Sequence, residues 1–290
     1  MPPILSVVNL KGGVGKTAIA VNLAAFCGVS GLRTLLVDID PQTNATFSCM
    51  AVDAWEEHAA KHGTVADLLG VRGHTSAEGV TKDAPAVIKK GVFTRVDLVP
   101  SHLDLFTVDL DLASATARER KLKRALHPVL SQYDIIVLDC PPNLTLPTQN
   151  ALAMSSHYLV PISPDYLSGL GVGLLLKRVK QLCQELECDL KLAGIVISRV
   201  GRPAQHREQT VGALRATFGA DVLHCEIKER VAVSEAAASN RPINLNAHGF
   251  KRSSRTRYSA AWTSCIRPSC RYPFPPSPKS RARTPRTCAR

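Results

Sequence analysis

Near the start of the chain, Lys11-Gly12-Gly13-Val14-Gly15-Lys16-Thr17 packs two lysines and three glycines into seven residues. Glycines at this spacing let a backbone turn tightly and point its N–H groups inward at an anion. Lys16 adds a cation, and the Thr17 hydroxyl can ligate a hard metal ion. An apolar run, Ile4–Asn9, precedes the loop, and an Ala-rich stretch, Thr17–Cys27, follows it. Strand, loop and helix in that order put the positive end of a helix dipole beside the anion. This is the context of a loop that cradles the phosphates of a nucleoside triphosphate. The usual pattern G-x-x-x-x-G-K-[ST] is departed from at Leu10, where its first glycine would stand, and an additional lysine, Lys11, comes with the change. The loop is therefore the deviant form K-G-G-x-G-K-T. Its nucleotide-binding residues are read as Lys11, Gly12, Gly13, Val14, Gly15, Lys16, Thr17 and Ala18, with ATP as ligand.

Carboxylates recur where such a loop needs them. Asp38 and Asp40 close the apolar run Thr34–Asp38, and Asp139 closes Ile135–Asp139. In an open α/β sheet, ligands sit beyond the carboxyl ends of the strands, so the loop and all three acids converge on one edge. Asp139, after four apolar residues, fits a Mg2+ site shared with Thr17, directly or through water. Asp38 is a further candidate for the metal.

The elements that must hold these residues alternate. Short runs rich in Val, Ile and Leu occur at Ile4–Asn9, Thr34–Asp38, Val96–Pro100, Ile135–Asp139, Tyr158–Ile162, Leu192–Ser198 and Val222–Cys225. They lack period-two alternation, as strands do when both faces of a parallel sheet are covered. Helix-compatible stretches separate them at Thr17–Cys27, Ala115–Leu130, Leu170–Glu187 and Gln205–Phe218, and Ala51–Thr94 reads as short helices and a surface excursion. The prediction is an α/β fold, a doubly wound, mostly parallel sheet with helices on both faces.

Charge divides the chain in two. The overall net charge is +12, yet residues 247–290 hold eleven Lys and Arg with no Asp or Glu, so residues 1–246 are close to neutral. Six prolines in that tail, without a hydrophobic period, predict disorder there. Of the nine cysteines, Cys27, Cys49, Cys140, Cys183, Cys188 and Cys225 are scattered through the body without a CxxC pair. They are expected to be free thiols, mostly buried. No signal-like leader precedes the first strand and no apolar run reaches membrane-spanning length, so a cytoplasmic protein is expected.

Lys11–Thr17, the run Asp38-Ile39-Asp40-Pro41-Gln42-Thr43-Asn44-Ala45-Thr46, and Asp139-Cys140-Pro141-Pro142 together resemble the ParA/Soj family of partition ATPases, in the MinD/ParA superfamily. Thr64–Leu69, Val99–Ser101, Pro161–Pro164, Val231–Ala236 and Arg241–Ile243 extend the likeness over residues 1–246, in order. The resemblance implies ATP and Mg2+ as cofactors and a nucleotide-sandwich homodimer. Lys11, Lys16 and Asp40 would be catalytic, with Lys11 reaching the partner subunit's phosphates and Asp40 orienting the attacking water. It also implies non-specific DNA binding at the nucleoid, for which Arg199, Arg202, Arg207, Lys228 and Arg230 are candidates. A centromere-bound ParB-like protein would stimulate an otherwise weak ATPase that moves chromosome, plasmid or related cargo. Because the loop begins about ten residues into the chain, specific DNA recognition is expected in that partner.

Relatives continue past the Pro-Ile segment into an amphipathic helix, and residues 247–290 replace it. A shift of reading frame near residue 247 accounts for this; a basic DNA-holding extension is the other explanation. Three rivals keep the same loop. A MinD-like positioning ATPase would want a membrane-binding C-terminal helix, and no stable membrane association is expected here. An ATPase like the nitrogenase iron protein would want cluster cysteines at fitting positions. The third rival is the non-catalytic remnant of a damaged gene.

Overall fold

The computed structural model describes residues 1–71, 82–165, 168–201 and 205–243. The tail from residue 247, the residues that lead into it and Arg202 lie outside the described residues, so the expectations placed on them are not addressed by the fold.

Eight strands form one sheet: β1 (Ile4–Val7), β2 (Thr34–Asp38), β3 (Lys89–Phe93), β4 (Val96–Val99), β5 (Ile135–Asp139), β6 (His157–Ile162), β7 (Lys191–Val200) and β8 (Val222–Lys228). The order across the sheet is β3-β4-β2-β5-β1-β6-β7-β8. Every neighbouring pair is parallel except β3 with β4, which is antiparallel. The helices are α1 (Lys16–Val29), α2 (Asn44–Phe47), α3 (Val52–His62), α4 (Val65–Leu69), α5 (Ala84–Val87), α6 (Val108–Asp111), α7 (Lys121–Leu126), α8 (Leu146–Met154), α9 (Ser168–Glu185), α10 (Gln205–Phe218) and α11 (Val231–Ala238). None of them is long and apolar enough to cross a membrane, among the described residues.

The central strands are apolar at consecutive positions because each face of the sheet has its own core. Leu35 and Val37 of β2, Ile136 and Leu138 of β5, and Ile195 and Ile197 of β7 point to one face, where α4, α7, α8 and α9 pack. Leu36, Val137 and Val196 point to the other, against Ile19, Ala20, Leu23 and Ala24 of α1. Each fully buried aliphatic side chain of this kind contributes about 1.5–3 kcal/mol. Close packing of α1 is visible at Gly28, where a Cβ would come within 2.1 Å of the Thr94 carbonyl oxygen.

Three expectations are revised. Lys89–Phe93 reads as part of a surface excursion, yet it forms the antiparallel edge strand β3. Its partner β4 is what defines it: Lys90 pairs with Asp97 at 3.0 Å, and the Gly91 N–H donates to the same carboxylate. Ala115–Leu130, expected as one helix, is broken. Ala117 takes a left-handed conformation at φ 49, and Pro128 enters the 3-10 turns His127–Gln132 that follow α7. Proline removes a helical hydrogen bond and clashes with the preceding turn. Cys27, Cys49 and Cys140 are buried free thiols, and Cys183 and Cys188 are free and half-buried. Cys225 departs from the expectation, being disulfide-bonded.

Candidate active site at the carboxyl edge of the sheet

The phosphate loop joins β1 to α1. Gly15 caps α1 at φ 86 with no side-chain cap, and the first turn carries no acidic residue. The opening N–H groups of the helix are therefore free for an anion, beside the positive helix end. Gly13 is also left-handed, at φ 72. A Cβ at Gly15 would meet no heavy atom within 4 Å, so backbone conformation rather than space demands glycine there. Lys16 is 6% exposed, and its Nζ donates to the Lys11 carbonyl at 3.1 Å. Burial lowers its pKa, while Asp139, Asp40 and Cys140 oppose that shift.

Lys11 lies elsewhere. Its ammonium reaches Asp165 at 2.7 Å, with both side chains substantially exposed. The loop around it is tied down at several points. The Lys11 N–H donates to Asn9 Oδ1 at 3.0 Å, and the Ser198 hydroxyl donates to the Val14 carbonyl at 2.6 Å. The Arg199 guanidinium donates to the Gly13 carbonyl at 2.6 Å while pairing with Glu229 at 2.7 Å.

The acidic residues divide sharply. Asp38 and Asp139 face each other across β2 and β5, and both are fully buried. Asp38 accepts hydrogen bonds from the Asp40 N–H at 3.1 Å, and from the Thr46 N–H and hydroxyl, each at 2.7 Å. Neither oxygen of Asp139 accepts a hydrogen bond among the described residues. Burial pushes its carboxyl well above the usual range, and Asp38 repels its charge further. The Thr17 hydroxyl, which faces it without closing a hydrogen bond, and Lys16 work the other way. A buried carboxylate without donors lacks a cation or a proton. Thr17 beside it completes a pair of hard oxygens, as a Mg2+ site needs; Mg2+ takes one or two protein ligands and fills its remaining positions with phosphate and water. The residues therefore fit the ion. Asp38 gives its oxygens to the Thr46 and Asp40 donors and so organises the turn after β2.

In that turn Asp40 accepts the Gln42 N–H at 2.9 Å, and the Ser101 hydroxyl donates to its carbonyl at 2.7 Å. Thr43 is left-handed at φ 56, a strained conformation for a β-branched residue, held by its N–H to the Asp40 carbonyl at 2.9 Å. Burial raises the Asp40 pKa, with the Gln42 amide and Lys16 countering.

A cavity of about 690 Å³ opens over these groups. Gly12, Gly13, Gly15, Lys16, Thr17 and Ala18 line it, with Asp40 and Pro142 on one side and Arg199, Lys228, Glu229 and Arg230 on the other. A space this size suits a small organic ligand. Lys11 is not part of the wall, and Asp139 lies behind Thr17 rather than in the opening.

Four of the five cations offered as DNA contacts fall within the described residues, and they lie around Glu229. Arg199, Lys228 and Arg230 line the cavity, and Arg202 lies outside the described residues. Arg207, on α10, folds against Gly201, where a Cβ would sit 2.6 Å from its guanidinium. The Arg199 guanidinium is engaged by Gly13 and Glu229, with its side chain still 52% exposed. Sequence reasoning missed Thr46, Ser101, Ser198 and Asp165. Each acts through a contact 8 to 184 positions away along the chain, which no local spacing reveals.

Fold and site define a P-loop ATPase with a deviant phosphate loop. A family model described as an AAA domain matches residues 3–192. The chain is 32% identical over 245 residues to the sporulation initiation inhibitor protein Soj of Bacillus subtilis, covering 84% of this chain and 91% of the relative. It is 33% identical over 248 residues to the chromosome partitioning protein ParA of Myxococcus xanthus, covering 83% and 81%. Among solved structures, a cobyrinic acid a,c-diamide synthase from Mycobacterium smegmatis, bound to an ATP analogue and magnesium, superposes with a TM-score of 0.67 at 26% identity, covering 90% of this chain and 97% of that one. The chain belongs to the ParA/Soj family of partition ATPases.

Proposed function

We propose that this chain is an ATP-driven dimerising switch that moves DNA or related cargo, with residues 1–246 as its working domain. The observation that carries this reading is the separation of its two loop lysines. Lys16 lies buried against the cavity, whereas Lys11 points out of it toward Asp165. A lysine held away from its own phosphate site is available to a second copy.

ATP and Mg2+ are the cofactors. The loop amides from Gly12 to Thr17 and the Lys16 ammonium grip the β- and γ-phosphates. Thr17 would hold the metal directly and Asp139 through a bound water. Mg2+, when bound, supplies charge neutralisation on the phosphate oxygens. Asp40, which lines the cavity and keeps one oxygen clear of the Gln42 amide, orients the attacking water. Arg199, Lys228 and Arg230 wall the far side, where the nucleoside lies. Lys11 from the partner subunit completes charge neutralisation, so turnover requires two subunits.

In this reading the ATP-bound dimer binds DNA without sequence preference, through paired cationic surfaces that include Arg207, and a ParB-like protein at a centromere site stimulates hydrolysis. Work at the nucleoid follows. Binding should weaken steeply with salt. The test is ATPase rate alone, with DNA, and with the neighbouring gene's product, on wild type and Lys11→Ala. Lys11→Ala should keep nucleotide affinity and lose stimulated turnover. Full stimulated turnover in that variant would defeat the switch.

A further inference from the structure

Asp165 is more tightly organised than an exposed carboxylate needs to be. Its Oδ1 accepts the Ser168 hydroxyl at 2.7 Å, and its Oδ2 accepts both the Ser163 hydroxyl and the Lys11 ammonium. Its backbone is fixed too, the N–H donating to the Ser163 carbonyl and the carbonyl accepting the Ser168 N–H. The carboxylate therefore stands preset at the end of β6, where α9 begins. Lys11 is anchored to the same place by its backbone: its N–H donates to Asn9, whose side-chain amide donates to the Pro161 carbonyl of β6. Burial raises the Asp165 pKa, but Lys11, Ser163 and Ser168 outweigh it and hold the carboxyl ionised below its usual range. On α9, which begins three residues after Asp165, Leu170 and Leu174 are 76% and 53% exposed.

We propose that Asp165 is the positioning residue of Lys11: in the free protomer it holds the ammonium outside the protomer's own phosphate cavity, on the surface a second copy approaches. This rests on the reading of Lys11 as a lysine given to the partner subunit. Lys11 then exchanges one anionic partner for another, leaving Asp165 for the partner's phosphates when two nucleotide-loaded subunits meet. The contact prevents Lys11 from folding back over its own nucleotide, and it sets a threshold against pairing without ATP.

The experiment uses the full chain and three readouts. In the nucleotide-free protein, acetylation of Lys11 by acetic anhydride is followed by peptide mass spectrometry, relative to the other lysines. Asp165→Asn should speed it, and Asp165→Glu should not; an unchanged rate in Asp165→Asn overturns the proposal. In sedimentation experiments with ATP, Asp165→Asn should tighten dimerisation about two- to fivefold, the range an exposed ion pair can account for. Weaker dimerisation would overturn it. In a Lys11→Gln background, Asp165→Asn should leave dimerisation unchanged; an equal shift there would mean that Asp165 acts on something other than Lys11. If the wild-type chain fails to dimerise with ATP while Lys11 acetylation still responds to Asp165→Asn, the holding contact stands and the trans reading is what fails.

Discussion

Two loops leave the sheet side by side, after β2 and after β5, and their first carboxylates are register partners, Asp38 opposite Asp139. Both are fully buried and both end a strand of five buried residues. By sequence both are strand-end acids that could serve a metal, Asp139 ahead of Asp38. The difference is in what surrounds them. Asp38 collects three donors from Asp40 and Thr46, and so fixes the strained turn that presents Asp40. Asp139 collects none among the described residues. Lys16 acts electrostatically on Asp139 and Asp40. One loop is finished within the protein; the other ends on a carboxyl that no donor among the described residues satisfies. An unsatisfied buried acid is thus a more informative sign of a metal site than acidity or position alone.

The largest test of that contrast removes the cation on the ligand-dependent side. Lys16→Ala deletes charge-assisted hydrogen bonds to phosphate, each worth about 1.5–3 kcal/mol, so ATP affinity should fall about 1000-fold by calorimetry. Retained affinity would remove Lys16 from the site. Next comes Asp40→Ala, which should leave ATP affinity and ATP-dependent dimerisation near wild type while turnover falls about 100-fold or more, the scale for a residue that handles the attacking water's proton. A smaller third effect opposes the two loops directly. Asp38→Ala leaves the Thr46 and Asp40 donors buried without an acceptor and should cost about 2 kcal/mol or more in denaturant unfolding of the nucleotide-free protein. Asp139→Ala should cost less than about 1 kcal/mol in the same assay, because it removes a buried carboxyl that has no donors, yet it should abolish the Mg2+ dependence of nucleotide binding. The reverse pattern would exchange the two roles.

How far all this could be read beforehand follows from the range of the contacts. The phosphate loop was legible because its chemistry is local: glycine conformations, a lysine, a threonine and a helix start lie within seven residues. The parallel strands were legible because burial on both faces leaves uninterrupted apolar runs. Gln205–Phe218 matches α10 at both ends, and Thr34–Asp38 matches β2. Lys89–Phe93 was not legible, since Lys-Lys-Gly becomes a strand only through Asp97 on its neighbour. Nor was the division of labour between Asp38 and Asp139, which depends on Thr46. Arg199 looked like a surface cation because its two acceptors, Gly13 and Glu229, lie 186 and 30 residues away.

The smallest effect concerns the protons of the paired acids. Burial raises the pKa of both carboxyls from the ordinary 3.8, and each repels the other's charge. Such a pair keeps one proton across a wide pH range. The three donors around Asp38 favour charge there, which leaves the proton on Asp139. A group whose folded pKa lies above its unfolded value lends stability that is complete below the unfolded pKa and is given up as pH rises through the folded one. In EDTA and without nucleotide, the wild-type protein should therefore lose stability as pH climbs from the ordinary carboxylate value of 3.8 up through the raised pKa, in the component due to this pair. Asp139→Asn, which carries no proton to lose, should flatten that component, whereas Asp38→Asn should lower stability at every pH by weakening the bonds from Thr46. Saturating Mg2+ and ATP should flatten the wild-type curve in the same way, because the metal replaces the proton beside Asp139. Thermal melts across pH on these proteins separate the two carboxylates by slope rather than by depth, and identical slopes for wild type and Asp139→Asn would place the proton elsewhere.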